Sequence, residues 1–216
     1  MRAMSEDLVQ AAKAVEELTP AMKIFVEVTG ILDPVRELSE WATDLIRYRR
    51  APYQAKLLMR AVEKIKATGL PASAVSDRLL RAVLEDGAME DDPTMQDRWA
   101  NLLANASTGQ ADVRAAFPRM LSELDPIDAA ILDEGAAQDA RVLELYGLKA
   151  GLPKPAGVES FASDNLVATQ NLARLGLIDR TIDVDYPGLR AVVPTALGRA
   201  FVAACNSPAP EEQLEG

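Results

Sequence analysis

The chain has 216 residues, which is enough for one large or two small domains whose core needs no disulfide or metal. It contains no histidine and one cysteine, Cys205, which excludes a histidine-based catalytic triad, a zinc site of the usual Cys/His type and an internal disulfide. Its net charge of −10 disfavours nucleic acid and anionic lipid as partners unless basic residues are gathered locally. No secretion signal and no membrane-spanning stretch is evident, so we expect a cytoplasmic protein.

Helix starts are marked by a repeated device, a capping residue followed by proline at the first helical position. The four pairs are Thr19-Pro20, Asp33-Pro34, Asp92-Pro93 and Asp125-Pro126. Apolar residues at helical spacing predict helices over about residues 35–48, 53–67, 73–85, 93–106 and 113–124. Gly87 and Gly109 suit helix ends. This pattern predicts a helical bundle as the first domain, residues 1–120.

The pattern changes after residue 120. A helix opens at Pro126, with Asp128 placed to reach back to Asp125 as in a capping box. The next predicted elements are a loop at 151–157 and a helix that runs from Ser163 or Asp164 to a left-handed cap at Gly176. They are followed by two short strands on either side of a turn at 186–188, and by a helix that begins at Thr195. We therefore predict a mainly α fold, the bundle being followed by a winged helix-turn-helix-like domain over 121–206 with a small β-hairpin. Residues 207–216 are expected to form a disordered polar tail.

Basic residues gather between residues 47 and 66, where seven cations and one acid give a net charge of +6. Lys56, Arg60 and Lys64 are four apart and share one helix face, called the basic face below. Such a face can bind phosphate, nucleic acid or an anionic membrane surface. A solvated face paired with acids elsewhere in the chain is the favoured interpretation, because such stripes are common on surface helices. The candidate residues for an anionic target are Arg47, Arg49, Arg50, Lys56, Arg60 and Lys64.

Charge also bears on whether the winged module reads DNA. From residue 111 onward nine Lys/Arg stand against sixteen Asp/Glu, a net charge of −7. The predicted second helix exposes Asn165, Thr169, Gln170 and Asn171, with Arg174 as its one base-reading cation, and Arg180 and Arg190 lie on the hairpin. Two or three phosphate contacts give only weak, salt-sensitive binding. We expect a packing or dimerisation module, with DNA contacts by Arg174, Arg180 and Arg190 as the alternative.

Acidic residues cluster before the helix that carries Trp99, at positions 85, 86, 90, 91, 92 and 97. Oxygen ligands of this kind can hold Mg²⁺ or Ca²⁺, but their spacing does not follow an EF-hand loop. Acids at a helix start also satisfy exposed amides and the helix dipole, so capping is preferred. The sequence lacks a phosphate-binding glycine loop, a dinucleotide fingerprint and a nucleophile elbow. No enzymatic activity, cofactor or metal is expected.

The acidic preamble at 84–92 and the Trp-Ala-Asn-Leu-Leu element within 95–106 resemble the abortive infection alpha family of bacteria. The similarity continues at 117–128, 172–178 and 195–205, and covers about residues 75–205. It implies a role in defence against bacteriophage and carries no catalytic residues. The residues of the family motif, which are expected to be structural, are Glu85, Glu90, Trp99, Leu102 and Leu103.

Together these observations predict a non-enzymatic phage-defence protein that acts through protein–protein interaction or self-association. A homo-oligomer is expected, with a dimer favoured, and a further protein partner is open. The alternative is a winged-helix transcriptional regulator that binds DNA. A third interpretation places the N-terminal amphipathic helices on a membrane surface.

Overall fold

The structure is a computed structural model, and it describes residues 20–21, 23–25, 27–28, 51–137, 143–146, 163–182 and 189–210. The chain divides into unit 1, Met1–Ser122 with Ala204–Gly216, and unit 2, Glu123–Ala203. The predicted helix over 35–48, Arg47, Arg49, Arg50, the loop at 151–157 and the turn at 186–188 lie outside the described residues. The described part is mainly helical, as predicted. No helix in it combines the length and the apolar character needed to cross a bilayer.

In the residues of unit 1 that the structure describes, the regular structure is helical. The described residues between 20 and 28 are helical, in line with the predicted start at Pro20. They are followed by α1 (Ala51–Thr68), α2 (Asp77–Asp86), a 3-10 turn (Gly87–Met89), α3 (Pro93–Thr108) and α4 (Phe117–Ser122). Helix α1 packs along α3, and the 3-10 turn contacts α1. The largest fully buried side chains of this unit are Phe25, Leu58, Ile65, Leu84, Met95, Trp99, Leu102, Leu103, Phe117 and Leu121.

Two helices of unit 1 are shorter than predicted. Helix α2 begins at Asp77 and not near residue 73, because the amide and hydroxyl of Ser73 both donate to the Ser107 carbonyl, at 2.7 and 3.0 Å. Ser76 is the residue that caps it. Helix α4 spans six residues instead of 113–124. Pro118 is tolerated only in the first turn of a helix, which fixes the start at Phe117.

The glycine that ends α2 is required for a different reason than the predicted one. Gly87 caps α2 with φ −67°, an ordinary right-handed conformation. A Cβ at this position would lie 3.0 Å from the ring atoms Cγ and Cδ2 of Trp99 and 3.1 Å from Leu57 Cδ2. The indole therefore packs directly on the backbone of Gly87. The helix end predicted at Gly109 is present at the end of α3, where Gly109 has φ +70°, a left-handed conformation.

Unit 2 contains α5 (Pro126–Ala137), β1 (Leu143–Tyr146), α6 (Ser163–Arg174), β2 (Ile178–Ile182) and β3 (Leu189–Pro194). Helix α7 (Ala196–Cys205) follows, and its last two residues belong to unit 1. The three strands form an antiparallel sheet in the order β1-β3-β2. The predicted hairpin is β2 and β3, and β1 is an additional strand that the sequence analysis did not predict. Helix α6 packs on α5.

Helix α6 ends in a complete Schellman motif. Gly176 has φ +71°, its amide donates to the Ala173 carbonyl at 3.0 Å, and the Leu177 amide donates to the Leu172 carbonyl at 3.0 Å. Leu172 and Leu177 are both fully buried. The predicted left-handed end at Gly176 is thus present, and it directs the chain into β2.

The start of α7 is fastened to this same turn. Thr195 accepts the Gly198 amide on Oγ1 at 3.0 Å and donates that hydroxyl to the Gly176 carbonyl at 2.7 Å. The Thr195 amide donates to the Leu177 carbonyl at 3.0 Å. Gly198 lies so close that an added Cβ would overlap the Leu177 carbonyl. The Thr-x-x-Gly sequence is therefore a packing requirement as well as a helix cap.

Candidate interaction surfaces

The basic face lies on the solvent side of α1 in unit 1. Lys56 is exposed, while Arg60 and Lys64 are partly covered. Arg60 Nη1 lies 3.3 Å and Lys64 Nζ 3.9 Å from Asp97 Oδ1. Each such ion pair at a surface contributes at most about 1 kcal/mol. Two of the three predicted cations are thus partly neutralised by an acid from α3.

A shallow depression, the notch, opens beside the basic face. Its volume of about 10 Å³ leaves room for about one water molecule. Two large apolar side chains near it are exposed, Tyr53 by 55 % and Met89 by 59 %. The notch is lined by Tyr53, Lys56, Leu57, Arg60, Gly87, Glu90 and Gln96.

The acids before α3 hold the backbone of the turn in place. Asp92 Oδ1 accepts the amides of Thr94 at 2.9 Å and Met95 at 3.0 Å, and Glu90 Oε1 accepts the Asp92 amide at 2.9 Å. Gln96 Nε2 donates to the Glu90 carbonyl at 2.8 Å. Among the residues that the structure describes, no group of three or more potential metal ligands gathers. Glu85 lies on the exposed side of α2.

The cap at Asp92 gives a measurable expectation. Asp92→Ala removes the acceptor of two amides, and we expect it to lower the free energy of unfolding by about 1–2 kcal/mol. Asp92→Asn keeps an acceptor in place, and we expect it to change the free energy of unfolding by only a few tenths of the loss that Asp92→Ala causes. Urea unfolding followed by circular dichroism measures both. Equal stability of Asp92→Ala and the wild type would contradict a structural role for this acid.

The Trp-Ala-Asn-Leu-Leu element of α3 has two kinds of contact, apolar packing in the core and hydrogen bonds to the end of α7. Trp99, Leu102 and Leu103 are buried in the core of unit 1, as expected. The asparagines at 101 and 105 are buried too, and they bind the end of α7, where the last carbonyls have no partner within the helix. Asn101 Nδ2 donates to the Cys205 carbonyl at 2.9 Å, and Asn105 Nδ2 to the carbonyls of residues 204 and 206 at 2.9 and 2.8 Å.

The sequence analysis missed these two asparagines. Their signal is polar amides four residues apart inside an otherwise apolar stretch of helix, since such a pair lies on one face and needs partners when buried. The segment after α7 has a further contact, because Gln110 Nε2 donates to the Ala209 carbonyl at 2.6 Å. Of the predicted tail, residues 211–216 lie outside the described part of the chain.

In unit 2, the polar residues of α6 are held by the start of α5. Asn171 Nδ2 donates to the Glu123 carbonyl and to Asp128 Oδ2, both at 2.8 Å. Asp128 also accepts the Asp125 amide at 3.0 Å, which is the expected reach-back of the capping box. Arg174 Nη2 lies 2.6 Å from Glu123 Oε2. The corner is a closed polar network within this unit.

This network changes the surface predicted for α6. Thr169 was expected to be exposed but is 2 % exposed, because it lies one turn before Leu172 on the inner side of the helix. Asn171 is half-buried and bonded, and among residues 167–174, whose side chains the structure describes, the exposed positions are Val167, Gln170 and Arg174. Val167 is 69 % exposed. The predicted exposure of Asn165 lies outside the described side chains, and the described solvent side of α6 includes an apolar residue that the sequence analysis did not name.

The two arginines of the alternative interpretation lie on neighbouring strands. In the register of β2 and β3, Arg180 is paired with Val192, and Arg190 with Ile182. The two positions are thus diagonal neighbours in the sheet. The side chains of Arg180 and Arg190 lie outside the part of the chain that the structure describes, while the described hydrogen bonds of Arg174 go to Glu123 and Asn171.

Comparison with known proteins agrees with the resemblance seen in the sequence. A family model described as "Abortive infection alpha" matches residues 52–205, which include every element from α1 to α7. No curated protein and no solved structure matches the chain.

Proposed function

Because the chain belongs to the abortive infection alpha family, we propose that it is a non-enzymatic phage-defence protein that binds another protein or a second copy of itself. Family membership implies a role related to abortive infection. The mode of action is our own inference from the described surfaces. The acids near the notch support a non-enzymatic role, since Glu90 and Asp92 bind backbone amides and Asp97 lies beside two cations.

One observation carries the choice of partner class. Asn171 and Arg174, which a DNA-reading helix would direct at base edges, are bound to Glu123 and Asp128 within unit 2. Freeing them for DNA would break the hydrogen bond of Asn171 to the Asp128 carboxylate, which contributes about 1.5–3 kcal/mol, and the exposed ion pair of Arg174 with Glu123, which contributes at most about 1 kcal/mol. The exposed Val167 and the net negative charge of this part of the chain fit a protein partner better than a polyanion.

We further propose that unit 2 is a winged helix-turn-helix-like module used for protein contacts. Its support is the element order α5, β1, α6, β2, β3 with the sheet order β1-β3-β2, and the tight turn from α6 into β2. In this scheme α6 takes the position of the recognition helix and β2 with β3 takes that of the wing. This element order also favours DNA binding as the second candidate function, because the recognition helix of a helix-turn-helix module lies in the major groove.

Light scattering coupled to size-exclusion chromatography separates the two candidates. We expect the purified full chain to form a defined oligomer whose elution does not change when mixed-sequence duplex DNA is added, at low or moderate salt. A DNA complex that dissociates as salt rises, and that Arg180→Glu with Arg190→Glu abolishes, would contradict the proposal and establish the DNA-binding alternative.

The defence role has its own readout. Cells that express the chain are expected to give fewer phage plaques than cells with an empty vector. A panel of phages that plates equally on both would contradict the defence part of the proposal, whatever the oligomeric state.

A further inference from the structure

We infer that the basic face and the notch of one copy bind the acidic helix α5 of a second copy. This inference rests on the self-association in the proposed function and names the two surfaces that would carry it.

Charge makes a second copy a suitable partner. The stretch from 47 to 66 has a net charge of +6 in a chain of −10, so the remainder of the molecule carries −16. The described part of that stretch, α1, holds Lys56, Arg60, Lys64 and Lys66 against the single acid Glu63. An acidic surface of another copy is therefore attracted to this helix, and local attraction of this kind speeds and orients association.

Two large exposed apolar side chains lie on the elements that line the notch. Tyr53, 55 % exposed, belongs to α1, and Met89, 59 % exposed, belongs to the 3-10 turn that contacts it. Tyrosine, methionine and arginine are among the residue types enriched in protein interfaces.

Helix α5 has the complementary composition. From Pro126 to Ala137 it contains no cation, and besides the buried Asp128 it carries the acids Asp133 and Glu134. Its exposed positions are Pro126, Ile127, Ala130, Glu134 and Ala137, which lie on one side of the helix with Glu134 as the charged residue among them. Ile127, 40 % exposed, is the large side chain on that face. The apolar Ile127 beside an acidic side chain on α5 is complementary to cations beside exposed apolar side chains on α1.

The test uses charge reversals in the full chain, with Lys66 as the matched control. Lys56→Glu reverses an exposed charge on the basic face, and Lys66→Glu makes the same change on the same helix, about 80° away around its axis. We expect Lys56→Glu to raise the dimer dissociation constant by about tenfold and Lys66→Glu by less than about twofold. Sedimentation equilibrium at low and high salt gives the constants, and thermal melts verify that both variants fold.

A charge swap tests α5 directly. Glu134→Lys is expected to weaken the dimer as Lys56→Glu does, and the combined Lys56→Glu/Glu134→Lys chain to recover most of the lost affinity. The combination Lys66→Glu/Glu134→Lys has the same net charge and is expected not to recover. Recovery by both combinations would overturn the inference, because it would show an effect of total charge alone.

The outcomes separate this inference from the proposal on which it rests. A wild-type chain that stays monomeric at all accessible concentrations would contradict self-association itself. A wild-type oligomer that responds equally to Lys56→Glu and Lys66→Glu would leave self-association standing and overturn only the assignment of the surfaces.

Discussion

Replacing Gly198 with alanine is expected to lower the free energy of unfolding of unit 2 by at least about 3 kcal/mol, the upper range for an overpacked position. The new methyl group would overlap the carbonyl of Leu177, which is backbone and cannot rotate away as a side-chain tip would. That carbonyl also accepts the Thr195 amide, so moving it strains the turn that joins α6 to β2 and the start of α7. Urea unfolding, with hydrogen exchange of the β2 amides as a local probe, measures the loss.

Two other glycines serve as controls for the same substitution. Gly109 has φ +70° and nothing within 4 Å of its added Cβ, and Gly176 has φ +71° with Leu197 Cδ2 at 3.9 Å. Alanine at these positions suffers only the left-handed torsion, which costs about 1–2 kcal/mol. If Gly198→Ala lost no more stability than Gly109→Ala, the close packing of α7 on the Leu177 carbonyl would be wrong.

Sequence periodicity was sufficient to predict the long helices. It was insufficient to predict elements and contacts whose bonding partners lie far away in the sequence. The apolar stripes of α1, α3 and α6 and the Asp-Pro caps of α3 and α5 are local patterns, and they predicted helices that the structure contains. Strand β1 has four residues and pairs with β3, as in the register of Leu143 with Val192. Nothing within so short a segment distinguishes it from a loop, because its hydrogen bonds depend on residues almost fifty positions away.

The same limit applies to the candidate surfaces. The spacing of Lys56, Arg60 and Lys64 placed them on one face, since this is a property of one helix. Their contact with Asp97 depends on the packing of α1 along α3, and it was not predictable from spacing. Gly87 is similar, because the sequence suggested a helix end whereas the requirement for glycine comes from the indole of Trp99. These roles depend on packing between residues that are distant in the sequence, so local sequence patterns could not predict them.

The asparagines of α3 provide the second large expected effect. Asn105→Leu keeps the approximate size of the side chain but leaves the carbonyls of Ala204 and Asn206 without the amide that bonds them at 2.9 and 2.8 Å. An acceptor buried without its donor costs about 1–3 kcal/mol. The bond to Ala204 is buried, whereas the bond to Asn206 is only partly buried and water can replace it, so we expect unit 1 to lose about 2–3 kcal/mol of stability. Asn101→Leu removes one buried bond, to the Cys205 carbonyl, and is expected to cost about 1–3 kcal/mol.

Gln110→Leu is the matched control for this clamp. Gln110 also donates a side-chain amide to a carbonyl of the C-terminal segment, that of Ala209, but the contact is only partly buried and water can replace it. Its loss is expected to cost less than about 1 kcal/mol. Urea unfolding gives the three stabilities, and limited proteolysis within residues 206–210 reports release of the segment. If Asn105→Leu matched Gln110→Leu in both measurements, the asparagine pair would be an accessory contact, and the Trp-Ala-Asn-Leu-Leu element would stabilise unit 1 through Trp99 and the leucines alone.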